Sequence, residues 1–448
     1  MTNADGLDAY SKPVYRWYAI SILAIAYAVS YIDRMIISLM VDPIKTSLDL
    51  SDTQVSLLLG LSFAVFYTTS AIPIAWLADR FNRRNIIISG ITLWCLMTSF
   101  CGLVKSFPGL FVARMGVGLG EAVLAPAGNS LIADAVPKES LGKALGLFAS
   151  GIAAGVGIAM MAGGYVLSLI GPNKLYDLPI LGEVVGWQLT FVVVGLVGLF
   201  VALLMFSVKE PKRKDAEGNE QKGNDATISE TLAYFANHKW VYLTLYVGYA
   251  CAQTAFYGAG GWVPTLFTRV YEWDIAKFGF YYGALTAVVG VIGVSIGGLL
   301  CDSLYKKGKK FAHWQITMVA LLFLGLYGLL AVVENGYWAI VLLGFGSFSA
   351  FAAAAAAPAA IIMMTPNRFR AMATALFFFT INIIGMIFGP LLVATLMDSV
   401  FKDPNSVGVA IGLVSIVGLI LSLVILGFGF KHYKKRIIEI ENLATTAN

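Results

Sequence analysis

Four ionisable residues stand inside stretches that are otherwise soluble in lipid: Asp33 and Arg34 in one apolar segment, Arg114 and Glu121 in another. A charge near the centre of a bilayer costs roughly 2.5–3.5 kcal/mol on insertion scales, so such groups turn toward a protein interior or a wetted cavity. Two carboxyls set among two guanidiniums can handle protons. Burial disfavours a carboxylate's charge and a neighbouring guanidinium favours it. A helix movement that brings an arginine up or takes it away therefore changes how firmly the carboxyl holds its proton, so protonation can select one conformation and release another. Asp33 and Glu121 are the candidate proton carriers. Arg34 and Arg114 keep their charge, which makes them candidate modulators or anchors for an anionic head group. A static ion network that fixes the helices is the other reading of these four residues.

The elements that must carry them are membrane spans. The chain of 448 residues is 58% hydrophobic and 13% charged, with a mean hydropathy of +0.78, whereas a soluble domain is about 25% charged. With about 20 apolar residues needed per crossing, twelve segments qualify: 17–41, 53–78, 85–105, 108–133, 139–168, 187–208, 240–267, 277–301, 314–333, 336–364, 370–397 and 407–430. The fold class expected is an all-α polytopic membrane protein of twelve transmembrane helices in two pseudo-symmetric six-helix bundles. The bundles are residues 1–208 and 239–432, joined by a charged cytoplasmic linker at 209–238 and followed by a tail at 433–448. Most of the 31 Lys and Arg fall on the side of the two termini, among them Arg80, Arg83, Arg84, Lys306, Lys307 and Lys434. Such a bias places both termini in the cytoplasm, and the protein in the cell (inner) membrane. At 1.5 Å per residue, Asp33 lies about 24 Å along the first span, in its outer half. Arg114 and Glu121, seven residues apart, share one face of the fourth.

The halves repeat each other. WLADRFNRR, with Asp79, follows the second span, and GLLCDSLYKK, with Asp302, follows the eighth; Ala125-Pro126-Ala127 is echoed by Ala357-Pro358-Ala359. The first of these loops resembles the G-x-x-x-D-R-x-G-R-R signature of the major facilitator superfamily, carried here by Ala75, Asp79, Arg80, Arg83 and Arg84, with Ala75 and Asn82 in place of its two glycines. Within that superfamily the chain is similar to the Spinster-like transporters. The stretches that carry the likeness are SYIDRMII, WLADRFNRRNIIISG and ARMGVGLGEAVLAPAGNSLIADAVP. The resemblance implies the major facilitator fold, a central cavity bordered by spans one and four, and alternating access. It also implies proton-coupled movement of an amphiphilic anion, a lysophospholipid or a sphingosine-1-phosphate-like lipid. A soluble organic anion or a drug-like compound is the alternative cargo. An Asp33–Arg114 contact is expected in some conformations. Asp79, Arg80, Arg83 and Arg84 are expected to form a gate that ties the cytoplasmic ends of spans together. A weaker latch is expected at Asp302, where Ser303 replaces the arginine that follows Asp79.

The second half offers no deep charge but a row of aromatic and amide groups. Tyr249, Gln253 and Tyr257 in span seven and Asn382 in span eleven are candidate substrate-binding residues for the cargo's apolar portion, unless they face lipid or neighbouring helices. Gly116, Gly118 and Gly120 sit within an apolar span, so close helix packing explains them better than nucleotide binding. Pro264 and Pro358 fall inside spans and are expected to kink them. The chain has no G-x-x-x-x-G-K-[ST], G-x-S-x-G or H-E-x-x-H pattern, so neither an ATP-driven engine nor an enzyme is expected. Cys95, Cys101, Cys251 and Cys301 lie in or at the edges of apolar segments, which points to packing rather than disulfides or a metal site. The expected partners are the small amphiphilic substrate, protons and membrane lipids, with no cofactor and no nucleic acid, around a monomer.

Overall fold

The computed structural model describes residues 10–179, 182–211, 228–366 and 369–446. Contacts divide the chain into two compact units, Met1–Glu217 with Phe267–Ala287, and Gly218–Leu266 with Val288–Asn448. The all-α expectation holds. Among the described residues eleven helices are long and apolar enough to cross a membrane. The expected seventh span is also a helix, Lys239–Arg269, of 31 residues. Thr244, Gln253, Thr254 and a run of tyrosines dilute its hydropathy, not its length.

In the first unit, span one is α1 (Pro13–Ile36), a 3₁₀ turn (Ile37–Met40) and α2 (Val41–Leu48). Pro13 opens α1 where its missing N–H costs nothing. The chain turns back at Asp49, in the left-handed region, and Ser51 and Gln54 form a capping box. Span two is α3 (Asp52–Leu59) and α4 (Leu61–Arg80), interrupted at Gly60. Then follow α5 (Arg83–Cys101), α6 (Phe107–Glu121), α7 (Leu124–Ala135), α8 (Lys138–Ile170) and α9 (Gly186–Met205). Helix α1 packs along α8, and α5 along α6 and α9. An element not anticipated is a short antiparallel hairpin, β1 (Leu175–Leu178) with β2 (Gly182–Val185), in which Leu175 faces Val185. Its ladder is continued by Gly186 N–H to the Lys174 carbonyl at 2.8 Å.

The second unit begins with α10 (Ile228–Asn237), a helix within the expected linker. Tyr234 anchors it by stacking on Phe369 at 4.2 Å. Beyond α11 (Lys239–Arg269) lie α12 (Ile275–Lys306), of which the part up to Ala287 belongs to the first unit, α13 (Ala312–Leu322) with a 3₁₀ extension (Phe323–Ala331), and α14 (Gly336–Met364). Span eleven is α15 (Arg370–Ile381), a π-helical stretch (Asn382–Ile387), α16 (Phe388–Thr395) and a second π-helical stretch (Leu396–Phe401). Helix α17 (Val407–Thr446) runs on through the expected tail for 40 residues. Its extension is tied back by Tyr433, which lies against Trp314, and by Arg436, which donates to the Met364 carbonyl. Helices α11 and α14 continue through Pro264 and Pro358; the interruptions fall elsewhere, at Gly60, at Ala122–Val123 and in the two π-helical stretches.

Candidate functional site

Asp33 and Arg34 occupy the last turn of α1, immediately before the 3₁₀ turn, and Arg114 and Glu121 lie on α6, which ends at Glu121. Two glycines set the distance between helices. A Cβ on Gly118 would meet the Phe63 carbonyl at 2.5 Å, and one on Gly120 the Trp94 amide nitrogen at 2.7 Å, so α6 lies directly on α4 and α5. The four charged side chains are consequently buried, with Asp33 at 0%, Arg34 at 8%, Arg114 at 1% and Glu121 at 2% exposure.

They are not treated alike. Arg34 Nη2 donates to Glu121 Oε2 at 2.7 Å, and its guanidinium sits over three rings, Tyr31 at 4.6 Å, Phe63 at 4.5 Å and Tyr67 at 4.7 Å. A desolvated cation over aromatic faces gains about 2 kcal/mol or more, so this arginine has both a counter-ion and a box. Among the described residues Arg114 hydrogen-bonds only the backbone carbonyl of Asp33, at 3.4 Å, and lies 5.5 Å from the Phe63 ring. The Asp33 carboxyl itself is left over. Trp94 and Thr98 of α5 face it, yet neither of its oxygens closes a hydrogen bond, and Trp94 Nε1, Thr98 Oγ1, Arg114 Nε and Arg114 Nη2 are also unmatched. The ion pair in this conformation is thus Arg34–Glu121, and Arg114 hydrogen-bonds the main chain of Asp33 while acting on its carboxyl only through space. An unmatched buried polar group costs on the order of 1–3 kcal/mol. Several of them around one carboxyl make a polar cluster that can rearrange.

In the second unit, α11 and span eleven bring the other candidates onto adjoining elements. Tyr249 is buried against the Phe377 ring at 5.1 Å, and Gln253 and Tyr257 lie against Gly385, inside the first π-helical stretch. Asn382 begins that stretch and is half-buried. Tyr246 Oη to the Ala373 carbonyl at 2.6 Å and Trp262 Nε1 to the Pro390 carbonyl at 3.0 Å clamp the two spans on either side. Isolated π-helical turns recur at functional sites because they re-aim side chains.

The sequence profile of the Major Facilitator Superfamily matches residues 23–390. That is most of the chain. It belongs to the Major Facilitator Superfamily. It is 26% identical to an MFS-type efflux pump of Mycolicibacterium smegmatis, over 98% of this chain and 97% of that one. It is 24% identical to a probable galactarate/D-glucarate transporter of Bacillus subtilis, over 94% and 96%. Among solved structures, it resembles a bacterial homologue of the human lysosomal transporter Spinster in its inward-facing, unoccupied conformation. That match has a TM-score of 0.78 at 26% identity and covers 96% of this chain and 98% of the other. The Spinster-like resemblance and the major facilitator fold are therefore both met, and the superfamily member described here is a membrane transporter.

In this superfamily member the loop motif after span two works largely through Arg83. The side chain is 1% exposed and donates to Glu210 Oε1 at 2.7 Å, to the Ser130 carbonyl and hydroxyl at 3.1 Å, to the Pro211 carbonyl at 3.2 Å and to Asp134. One guanidinium fork joins the start of α5, the end of α7 and the segment after α9. Asn82, standing where the signature has its second glycine, caps α5 by accepting from the Asn85 amide at 3.0 Å. Arg80 lies over the Trp76 ring at 3.8 Å, and the Arg84 amide donates to Glu210 Oε2 at 2.9 Å. Asp79 lies on α4 with its side chain outside the described residues, and Asp302 is exposed on α12. Arg83→Ala is expected to destabilise the protein by about 1–3 kcal/mol, read as thermal melting in detergent. Arg83→Lys should recover only part of this, because an ammonium cannot fork to several acceptors; full recovery by lysine would show that charge alone matters.

Several residues of these networks have no motif to announce them. Tyr31 precedes Arg34 by three positions, one helical neighbour away, and Phe63 and Tyr67 stack as an i,i+4 pair at 5.2 Å; periodicity alone could have paired them. Asp134 and Glu210 give no such sign. Nor does the ion cluster in which Arg269 Nε donates to Asp42 at 2.9 Å and Nη2 to Asp52 at 3.0 Å while Lys45 holds Asp52 at 2.7 Å.

Proposed function

We propose that the protein is a proton-coupled secondary active transporter that moves an amphiphilic anion, a lysophospholipid or a sphingosine-1-phosphate-like lipid, by alternating access. The observation that carries the reading is the division of labour among the buried charges. Glu121 is paired with Arg34, whereas the Asp33 carboxyl beside it forms no ion pair among the described residues and faces the Trp94 and Thr98 donors without a closed hydrogen bond. Asp33 takes up and releases the proton. Glu121 follows when Arg34 withdraws. Exchange of arginine partners between the two carboxyls links protonation to conformation, since each protonation state favours a different arrangement. The unmatched Arg114 nitrogens are donors available to an anionic head group, and Arg34 modulates the site. Tyr249, Gln253, Tyr257 and Asn382 receive the cargo's apolar portion. Asp79, Arg80, Arg83 and Arg84, with the weaker copy at Asp302, latch the cytoplasmic ends of the spans. The lipid-like cargo is what the sequence resemblance to the Spinster-like transporters implies.

A second reading replaces the lipid by a soluble organic anion, favoured by the likeness to a transporter named for galactarate and D-glucarate. Proteoliposomes separate the two. Uptake of a fluorescent lysolipid and of radiolabelled galactarate is measured with and without an imposed pH gradient. Gradient-dependent lysolipid movement is the expected result. Galactarate uptake without lysolipid movement would transfer the reading to the soluble anion, and indifference of both to the gradient would end the proton coupling.

A further inference from the structure

Where α17 runs on past its span, the second unit holds a buried arginine, Arg436, at 7% exposure. Its Nε donates to the Met364 carbonyl at 3.3 Å, its Nη1 to Glu439 Oε2 at 3.3 Å and its Nη2 to Tyr234 Oη at 3.0 Å. Those acceptors belong to the end of α14, to α17 itself and to α10. Tyr234 Oη lies 3.0 Å from Tyr242 Oη, and Tyr242 Oη lies 2.8 Å from Thr365 Oγ1. Thr365 in turn donates to the Ile361 carbonyl at 2.6 Å.

The hydrogens allow this row one direction only. A hydroxyl has a single hydrogen to give. That of Thr365 goes to Ile361, so Thr365 Oγ1 accepts from Tyr242. The Tyr242 oxygen must then accept from Tyr234, whose oxygen accepts from Arg436. The row starts at a cation and ends at a carbonyl, and every hydroxyl in it both gives and receives. Each bond polarises the next and strengthens it, while a break anywhere leaves a buried hydroxyl unmatched. Rings hold the same groups in place. Tyr234 stacks on Phe369 at 4.2 Å, and Phe235 meets Tyr242 edge-on at 4.8 Å.

In the first unit it is Arg83 that holds the end of α7, from the connection after span two. Its counterpart in the second half is Lys306, four residues after Asp302 as Arg83 is four after Asp79, and Lys306 is exposed. We infer that Arg436 fills this part from the tail and that α10 is a strap fastened by it, the Arg436–Tyr234–Tyr242–Thr365 row binding linker helix and tail to α11 and to the connection between spans ten and eleven. Beyond the row α11 and span eleven meet again, at Tyr246 with Ala373 and at Tyr249 with Phe377. A fastened strap therefore fixes the spacing of these two spans at the end from which their other contacts follow. The device lies wholly within the second unit and stands whatever the cargo is.

The test is hydrogen–deuterium exchange of the full-length protein in detergent, followed by mass spectrometry over residues 229–237 of α10. Arg436→Gln should speed exchange there about tenfold, since a hydrogen bond to a charged group is lost and the row is broken. Exchange in α5 of the first unit should stay at its original level, which separates release of the strap from general loosening. Tyr242→Phe keeps its ring against Phe235 and should still speed exchange in α10 several-fold, because the row fails at its middle. Combined with Arg436→Gln it should add little, as both changes break one network. Glu439→Gln removes the arginine's ion-pair partner outside the row and should leave α10 protected. Tyr234→Phe keeps the stack on Phe369 and reads the row in a folded protein even where Arg436→Gln melts. Unaltered exchange in Tyr234→Phe or Tyr242→Phe would overturn the strap, as would an equal loss of protection in Glu439→Gln.

Discussion

Asp33→Asn is expected to remove the response of transport to a pH gradient while leaving exchange of cargo across the membrane. One pH unit supplies about 1.4 kcal/mol for each coupled proton, enough for a tenfold accumulation of cargo at one proton per molecule. The unaltered protein in proteoliposomes should approach that figure, and the variant should show none of it. The physical reason lies in the surroundings of Asp33. Both its oxygens are buried without a closed hydrogen bond, facing Trp94 Nε1 and Thr98 Oγ1, and two Arg114 nitrogens are also unmatched. An amide in its place cannot carry a proton, yet its oxygen can accept from Trp94 or Thr98, so folding should survive and melting in detergent should not fall. Gradient-driven accumulation that persists in the variant would move the coupling away from Asp33. A fall in melting temperature with coupling intact would make the carboxyl structural.

How much of this was legible beforehand varies from element to element. The spans were, because hydrocarbon leaves the backbone no alternative to helix and the apolar runs are long. Their ends were less so. Span one was expected to stop near residue 41, since Asp42 and Lys45 look like loop residues. In the structure Arg269 and Asp52 pair with them, and α2 continues to Leu48. The third span, expected to reach residue 105, ends at Cys101 with Gly102, a stop that hydropathy does not register. The four buried charges stood out because lipid makes any charge an anomaly. Their pairing did not, because Arg34 and Glu121 are 87 positions apart and their approach depends on α6 lying against α4 and α5 at two glycines. The π-helical stretches in span eleven carry no residue type that distinguishes them from ordinary helix.

Glu121→Gln should be the most destabilising of the substitutions at the buried cluster, and should act in the opposite sense to Asp33→Asn. Removing one partner from a buried ion pair costs about 3–5 kcal/mol, since the remaining charge keeps its desolvation penalty without its counter-ion. Here that charge is Arg34, at 8% exposure. The rings of Tyr31, Phe63 and Tyr67 offset part of the loss through the cation's attraction to their faces, which sets the expectation toward the lower end. The measurement is a double-mutant cycle in thermal melting with Arg34→Gln and the Arg34→Gln/Glu121→Gln pair. Because the two side chains share a hydrogen bond at 2.7 Å, their effects should fall short of additivity by about 0.5–3 kcal/mol, the double variant being more stable than the sum of the singles predicts. Strict additivity would mean that the pair is not formed in the membrane-extracted protein. In that case Arg34 would be free to meet Asp33, and the assignment of Asp33 as the unpartnered carboxyl would fall with it.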